Sequence, residues 1–262
     1  MVQSVSKSTT VSVFSLANIR DLAQVRLRSG ALREKQLYRS DDVSTIDAAG
    51  ARALHKEGIR HVFDLRGAPE QQMTGRGPLE GLTGYDHLPF VLSPVNDPLQ
   101  PVASGTGAAL VSHTALSPQT VGHWYLSVTL DSAEIIVRGL ETLTRIEGAT
   151  VFHCAAGKDR TGIFAASVLS VLGAPDEEIV NDYHATEAQL ERVFDRLRAA
   201  PYGFFLQNLP HAGALLRAQK DTMRAFLDKA RLDHGGLEEL LKARGLSQDS
   251  INQLRARLVD GD

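Results

Sequence analysis

The sequence predicts an α/β fold: a central, mainly parallel sheet flanked by helices, with a helical C-terminal part. Three observations carry this. Between about residues 45 and 173, short apolar runs of strand length alternate with segments of helical period, at a spacing that suits βαβ units. One run, "ATVFH", passes through a glycine-containing loop straight into the apolar stretch "TGIFAASVLSVLG". Beyond Gly173 the strand pattern stops and the chain reads as almost purely helical.

The elements follow in order. After "NIRDL" and "QLYRSDD", the stretch "STIDAAGARALHKEGI" places Ile46, Ala49, Ala53 and Leu54 on one helical face. Ser44 and Asp47 resemble a capping box with Asp in place of Glu, which predicts a helix over about 45–57, ended by Gly58. "IRHVFDLRG" reads as a strand through Ile59, Val62, Phe63 and Leu65, and "YDHLPFV" as another. Residues 92–118, rich in Pro, Ser, Gly and Ala, form a loop of the length that functional loops have. "DSAEIIVRGLETLTRI" returns to helical period through Ile135, Ile136, Leu140 and Leu143. "ATVFH" is the next strand, and the helix after it is closed by Gly173. The remainder is punctuated by Pro201, Pro210 and Gly235-Gly236.

With 262 residues, 43% hydrophobic and 23% charged, the chain can bury a sizeable core and reads as one domain over 1–262. A net charge of -3 argues against a partner held by overall basicity, so no nucleic acid is expected. One cysteine can form no internal disulfide, which suits a reducing compartment. The first residues lack the basic start and apolar core of a secretory signal, and no apolar run approaches the ~20 residues of a membrane span. The expectation is a cytoplasmic protein without an integral membrane segment, with signal-independent secretion left open.

That single cysteine lies in "HCAAGKDRTG", between the strand and the helix. In open α/β sheets, ligands bind beyond the carboxyl ends of strands, where loops meet helix N-termini. A loop here offers the backbone N–H groups of Ala155, Ala156, Gly157, Lys158, Asp159 and Arg160, and the helix starting near Thr161 adds its positive pole. This is a phosphate-sized anion site. Its field favours the thiolate and makes Cys154 a nucleophile. Arg160 can hold two oxygens of a phosphoryl group through its planar fork. Gly157 permits a tight turn and close approach of phosphate, Gly162 lets the helix begin close to the sheet, and Thr161 can donate to the cysteine sulfur. A cysteine in an α/β core is usually a small buried hydrophobe. At average residue usage, however, Arg160, Thr161 and Gly162 would accompany the only cysteine by chance in fewer than roughly one chain in a thousand. A nucleotide-binding P-loop fits poorly, since Lys158 is followed by Asp159 and not by Ser or Thr.

On "HCAAGKDRTG", with "NIRDL", "LYRSDD" and "FDLRG" upstream and "DYHATE" downstream, the chain resembles the Cys-x5-Arg phosphatases, in particular their microbial tyrosine and phosphoinositide branch. The resemblance spans most of 15–190 and is loose afterwards. It implies a protein tyrosine phosphatase-like sheet flanked by helices, a cysteinyl-phosphate intermediate, and no metal or other cofactor. It also implies a phosphorylated protein or phosphoinositide as substrate, with peripheral approach to lipid in the second case. Residues 15–190 would be the catalytic core, 190–232 a helical lid with Leu206, Leu209, Leu215, Leu216 and Phe226 beneath it, and 233–262 C-terminal helices. Core packing is the ordinary explanation of such an apolar stripe.

Other residues keep two readings. Lys158 either meets a second phosphate, as the resemblance implies, or is a solvated lysine. Asp64 and Arg66 read as an ion pair bracing the loop in preference to touching substrate, and His153 as orienting the loop by hydrogen bonds. The other histidines lack ligand spacing, so no metal is assigned. For the general acid, the resemblance implies an aspartate on a separate loop, in one member of the family soon after an "LPF" stretch, where this chain has Val91 and Leu92 and reaches a carboxylate only at Asp97. Asp159, inside the loop, is the candidate acid, matching the place used in myotubularin-like phosphatases, and Asp97 is the alternative. A non-catalytic module that binds phosphorylated ligands and a thiol-based sulfur or arsenate enzyme are the rival functions.

Overall fold

The computed structural model describes residues 15–91, 116–201 and 213–261. Its strands are β1 (Arg20–Asp21), β2 (Ala31–Leu32), β3 (Leu37–Ser40), β4 (Ile59–Asp64), β5 (Gly84–His87), β6 (Ala149–His153) and β7 (Val259–Asp260). Five of them form one sheet in the order β1-β3-β6-β4-β5. The β1–β3 edge pair is antiparallel, while β3–β6, β6–β4 and β4–β5 are parallel. β2 and β7 make a separate antiparallel ribbon that ties the end of the described chain back to Ala31 and Leu32.

The helices are α1 (Ala48–Lys56), α2 (Ala68–Thr74), α3 (Pro118–Asp131), α4 (Ala133–Leu143), α5 (Asp159–Leu172), α6 (Asp176–Ala185), α7 (Leu190–Ala199), α8 (Lys220–His234), α9 (Leu237–Ala243) and α10 (Gln248–Leu258). Alternation along the central strands separates two apolar clusters. Ile59, Val62 and Val151 join Ala51 and Leu54 of α1 on one face. Phe63 and Phe152 join the larger cluster built from α3, α4, α5, α6, α8, α9 and α10. There Phe164 of α5 meets Phe63, Phe90 and Phe152 edge-on, fixing that helix against the sheet.

The mainly parallel sheet flanked by helices is the predicted architecture, with local differences. Helix α1 starts at Ala48, and its N-cap is Asp47, which accepts from Gly50 N at 2.7 Å. Ser44 does not cap it, because its hydroxyl accepts from Arg66 Nη1 at 2.9 Å. The buried face carries Gly50, Ala51 and Leu54, and Ala49 is exposed. Helix α5 begins at Asp159, two residues earlier than expected. Gly162 faces α6 and not the sheet: a Cβ there would lie 3.0 Å from the Tyr183 ring. Helices α2 and α3 are absent from the sequence reading.

Candidate active site

The chain leaves β6 at His153 and turns into α5 through the cysteine loop, with Cys154 only 2% exposed. Gly157 has φ +68°, and a Cβ there would lie 2.5 Å from Ser40 O and 2.6 Å from Asp41 N at the end of β3. The turn therefore needs glycine for its conformation and its close approach to β3, where the sequence suggested approach to phosphate. The loop's carbonyls point outward to fixed donors: Ala155 O accepts from Asp42 N (3.1 Å) and Ala156 O from Asn18 Nδ2 (3.3 Å). Gly157 O accepts from Asn18 Nδ2 (3.0 Å) and Arg39 Nη2 (2.8 Å). No peptide bond in the described chain is cis. Across a trans peptide the N–H opposes the C=O, so the N–H groups of Ala156, Gly157 and Lys158 face the opposite side of the loop. Those groups and the α5 N-terminus are donors that could receive an anion beside Cys154.

Two buried networks hold this arrangement. In the first, Arg39 Nη1 donates to Asp182 Oδ2 (2.5 Å), Arg20 Nε to Asp182 Oδ1 (2.8 Å), and Arg20 Nη1 to Asn18 Oδ1 (2.6 Å). "NIRDL", "LYRSDD" and "DYHATE" thus meet behind one loop. Burial pushes the Asp182 carboxyl up, but Arg39 and Arg20 outweigh it and hold it below the usual carboxylate range. Burial, with Arg39 nearby, lowers Arg20 to about 10.

In the second network, fully buried Arg66 donates through Nε and Nη2 to Asp64 (2.8 and 2.6 Å) and through Nη1 to Asp42 Oδ2 (2.9 Å). Asp64 also accepts from Tyr85 Oη (3.0 Å). Burial alone would raise the Asp64 carboxyl; His153 and Arg66 together drive it far below the ordinary range. His153 contacts Cys154 O through Nδ1 at 3.1 Å and lies 3.7 Å from Asp42 and 3.9 Å from Asp64. Asp64, Arg66 and His153 therefore sit together beneath the loop.

Arg160 forms a bidentate pair with Glu70 of α2, Nη1 to Oε2 at 2.5 Å and Nη2 to Oε1 at 2.8 Å. Burial opposes both charges; Arg160 nevertheless holds the Glu70 carboxyl down, and Glu70, with Cys154 and Asp159 adding, pushes the guanidinium up. Glu70 takes two of the five guanidinium N–H groups and leaves three for a ligand. Glu70 sits at the third position of α2, where it also accepts from Gly67 N (2.9 Å).

Lys158 is not a solvated lysine: it is 3% exposed, and its Nζ donates to Asp159 Oδ1 at 2.5 Å. Burial would lower it; Asp159 and Tyr183 raise it. Asp159 Oδ1 also accepts from Tyr125 Oη of α3 (2.5 Å), which lies 2.9 Å from Tyr183 Oη of α6. Thr161 does not donate to the sulfur. Its Oγ1 is buried without a partner among the described residues, and the carbonyl one turn back, Gly157 O, already takes Asn18 and Arg39.

Helix α7 sits against the loop, its Val193 and Leu197 packing with Ala155 and Ala156 and its Arg196 donating to Asp41 Oδ2 at 2.6 Å. Phe226 is fully buried edge-on to Tyr125, and Leu216 packs on the same main core. Asp97, Leu206 and Leu209, with the Leu215 side chain, lie outside the described residues. Among the described residues, no cluster of His, Cys, Asp or Glu could hold a metal, and no helix is long and apolar enough to cross a membrane.

Glu70 and Tyr125 were missed from sequence. For Glu70 the available signal was "GAPE" after a strand, a helix start with Pro and then Glu in its first turn. For Tyr125 it was "SP" before an apolar run, with Ser117 capping and Pro118 opening α3.

Residues 11–260 match the model of a family described as the tyrosine phosphatase family. The chain is 36% identical over 116 residues to a tyrosine-protein phosphatase of Nostoc commune, covering 43% of this chain and 40% of that protein. It is 25% identical to the triple specificity protein phosphatase PtpB of Mycobacterium tuberculosis, over 92% of this chain and 96% of that one.

Proposed function

The chain belongs to the tyrosine phosphatase family, and we propose that it hydrolyses phosphate monoesters through a phosphoryl group carried on Cys154. The observation that carries this reading is the loop itself: the carbonyls of residues 155–157 are bound on its outer side, the thiol between strand and helix is near-buried, and Arg160 is held in place by Glu70. A phosphate dianion would take the N–H groups of residues 155–160 and the free edge of Arg160. Cys154 Sγ attacks phosphorus, the bond to the ester oxygen breaks, and Asp159 gives that oxygen a proton. Water then attacks the phosphorus and returns a proton to Asp159. The S–P bond breaks, releasing inorganic phosphate and the thiolate. Asp97 is the alternative acid. A Thr161 hydroxyl with no partner among the described residues suits a donor that engages only when sulfur or phosphate is charged beside it.

Phosphotyrosine, phosphoinositides or both are the proposed substrates, supported by the family and by the similarity to the mycobacterial triple specificity protein phosphatase. Residues 15–190 form the catalytic core on this reading, 190–232 a cover over it and 233–262 the closing helices. A reducing compartment such as the cytoplasm suits a lone thiol nucleophile. The test is phosphate release from a phosphotyrosine peptide, a phosphoserine peptide and phosphoinositide vesicles, assayed side by side with wild type and Cys154→Ser. Release that disappears in the variant is expected. Binding of these ligands without turnover by wild type would make the protein a recognition module, and sulfur transfer without phosphate release would make it a thiol sulfur enzyme.

A further inference from the structure

We propose that Tyr125 and Tyr183 are positioning residues that orient Asp159 so that its Oδ2 carries the transferred proton. This rests on the reading of Asp159 as the acid. Both contacts to the Asp159 carboxyl among the described residues, from Lys158 Nζ and Tyr125 Oη, fall on Oδ1 at 2.5 Å. An oxygen already accepting two donors is a poor place for a further proton, so on this proposal the proton that Asp159 transfers is carried by Oδ2. The side chain is 26% exposed and so is not sealed from solvent.

The proton count fixes the direction of the chain. The single hydroxyl proton of Tyr125 goes to the carboxyl, so the 2.9 Å contact with Tyr183 must be donated by Tyr183. Tyr183 thereby leaves Tyr125 no other use for its proton. Burial first, and Asp159 second, push the Tyr125 phenol well above its ordinary value, and burial raises Tyr183, so both remain donors at any working pH. Lys158 and Arg160, at the end of the loop and the start of its helix, are the other charged groups that interact with Asp159 among the described residues. The two tyrosines reach it from α3 and α6, and their rings pack edge-on at 6.1 Å, so the orienting element is rigid and lies outside the loop.

The experiment is kcat against pH for wild type, Tyr125→Phe, Tyr183→Phe and Asp159→Asn, on an alkyl phosphate that needs its leaving oxygen protonated and on p-nitrophenyl phosphate, which needs this less. Tyr125→Phe keeps the ring and removes a donor that favours the ionised carboxyl. The alkaline fall in alkyl turnover should therefore move up by about one pH unit, the size of one hydrogen bond to a charged group. At the optimum, alkyl turnover should drop roughly tenfold while the aryl substrate changes little. Tyr183→Phe should shift the same limb in the same direction by less. Equal losses on both substrates with the limb unmoved in Tyr125→Phe would overturn the inference. Asp159→Asn separates the two levels of the argument: full alkyl turnover there overturns the acid assignment itself, whereas loss of the limb there with none of the expected change in Tyr125→Phe overturns only the tyrosines' role.

Discussion

The two flanks of the cysteine loop are braced for different ends. On the β3 side, Asn18 and Arg39 bind carbonyls of Ala156 and Gly157, and Asp182 holds Arg39 and Arg20 in register. On the α2 side, Glu70 binds no backbone of the loop and instead grips the guanidinium of Arg160. One flank sets where backbone N–H groups point, which on the proposed function matters to every bound phosphate. The other sets the edge of one side chain, which matters most when charge moves onto the equatorial oxygens. Damage to the first flank should appear in stability and binding, and damage to the second in turnover.

The largest effect is expected on the first flank. Arg39→Met leaves buried Asp182 with half its neutralisation, and breaking a buried pair of this kind costs about 3–5 kcal/mol. Denaturant unfolding checks this, and an unchanged midpoint would show that Arg20 alone suffices. Next comes Arg160→Lys on the second flank, where a point charge replaces a fork: kcat should fall about 10²–10³-fold, with unfolding little changed. Near-normal turnover would make the arginine structural. Glu70→Gln, which keeps the shape and removes the charge, should lower kcat roughly tenfold by loosening the guanidinium, with a smaller change in KM. A change in KM alone would place Glu70 in substrate binding.

The smallest effect concerns pH and spans both flanks. Asp182, Asp64 and Glu70 all titrate below their ordinary values when folded. A depressed carboxyl contributes stability that is complete above its unfolded value, near 4, and is lost as pH falls through the folded one. Unfolding free energy should therefore be flat through neutral pH and decline below about pH 4, with a shallower decline in Glu70→Gln. Stability unchanged down to pH 3 would contradict these ion pairs.

What the sequence showed follows the same division. Cys154, Lys158, Asp159 and Arg160 were legible because a strand, a loop and a helix N-terminus lie consecutively. "NIRDL", "LYRSDD" and "DYHATE" stood out as motifs, but nothing local says that Arg39 pairs with Asp182, 143 positions away. Helix α3 escaped because Val121, Trp124, Tyr125, Leu126 and Val128 are buried on several sides of it, so no amphipathic stripe marks it. Helix α2 escaped because it is seven residues long and buries none of them. Tyr125 and Glu70 were hidden with those helices. Ser44 was misread as a cap because its engagement with Arg66 is a tertiary fact.

The central claim is that phosphate passes through Cys154, and the most direct measurement is to catch it there. A phosphoryl-labelled aryl phosphate is mixed with enzyme, quenched in acid within milliseconds, and the digest searched for labelled peptide. Label is expected on the peptide containing Cys154 in wild type, with none, and no turnover, in Cys154→Ser. Phosphate release by Cys154→Ser at the wild-type rate would contradict it.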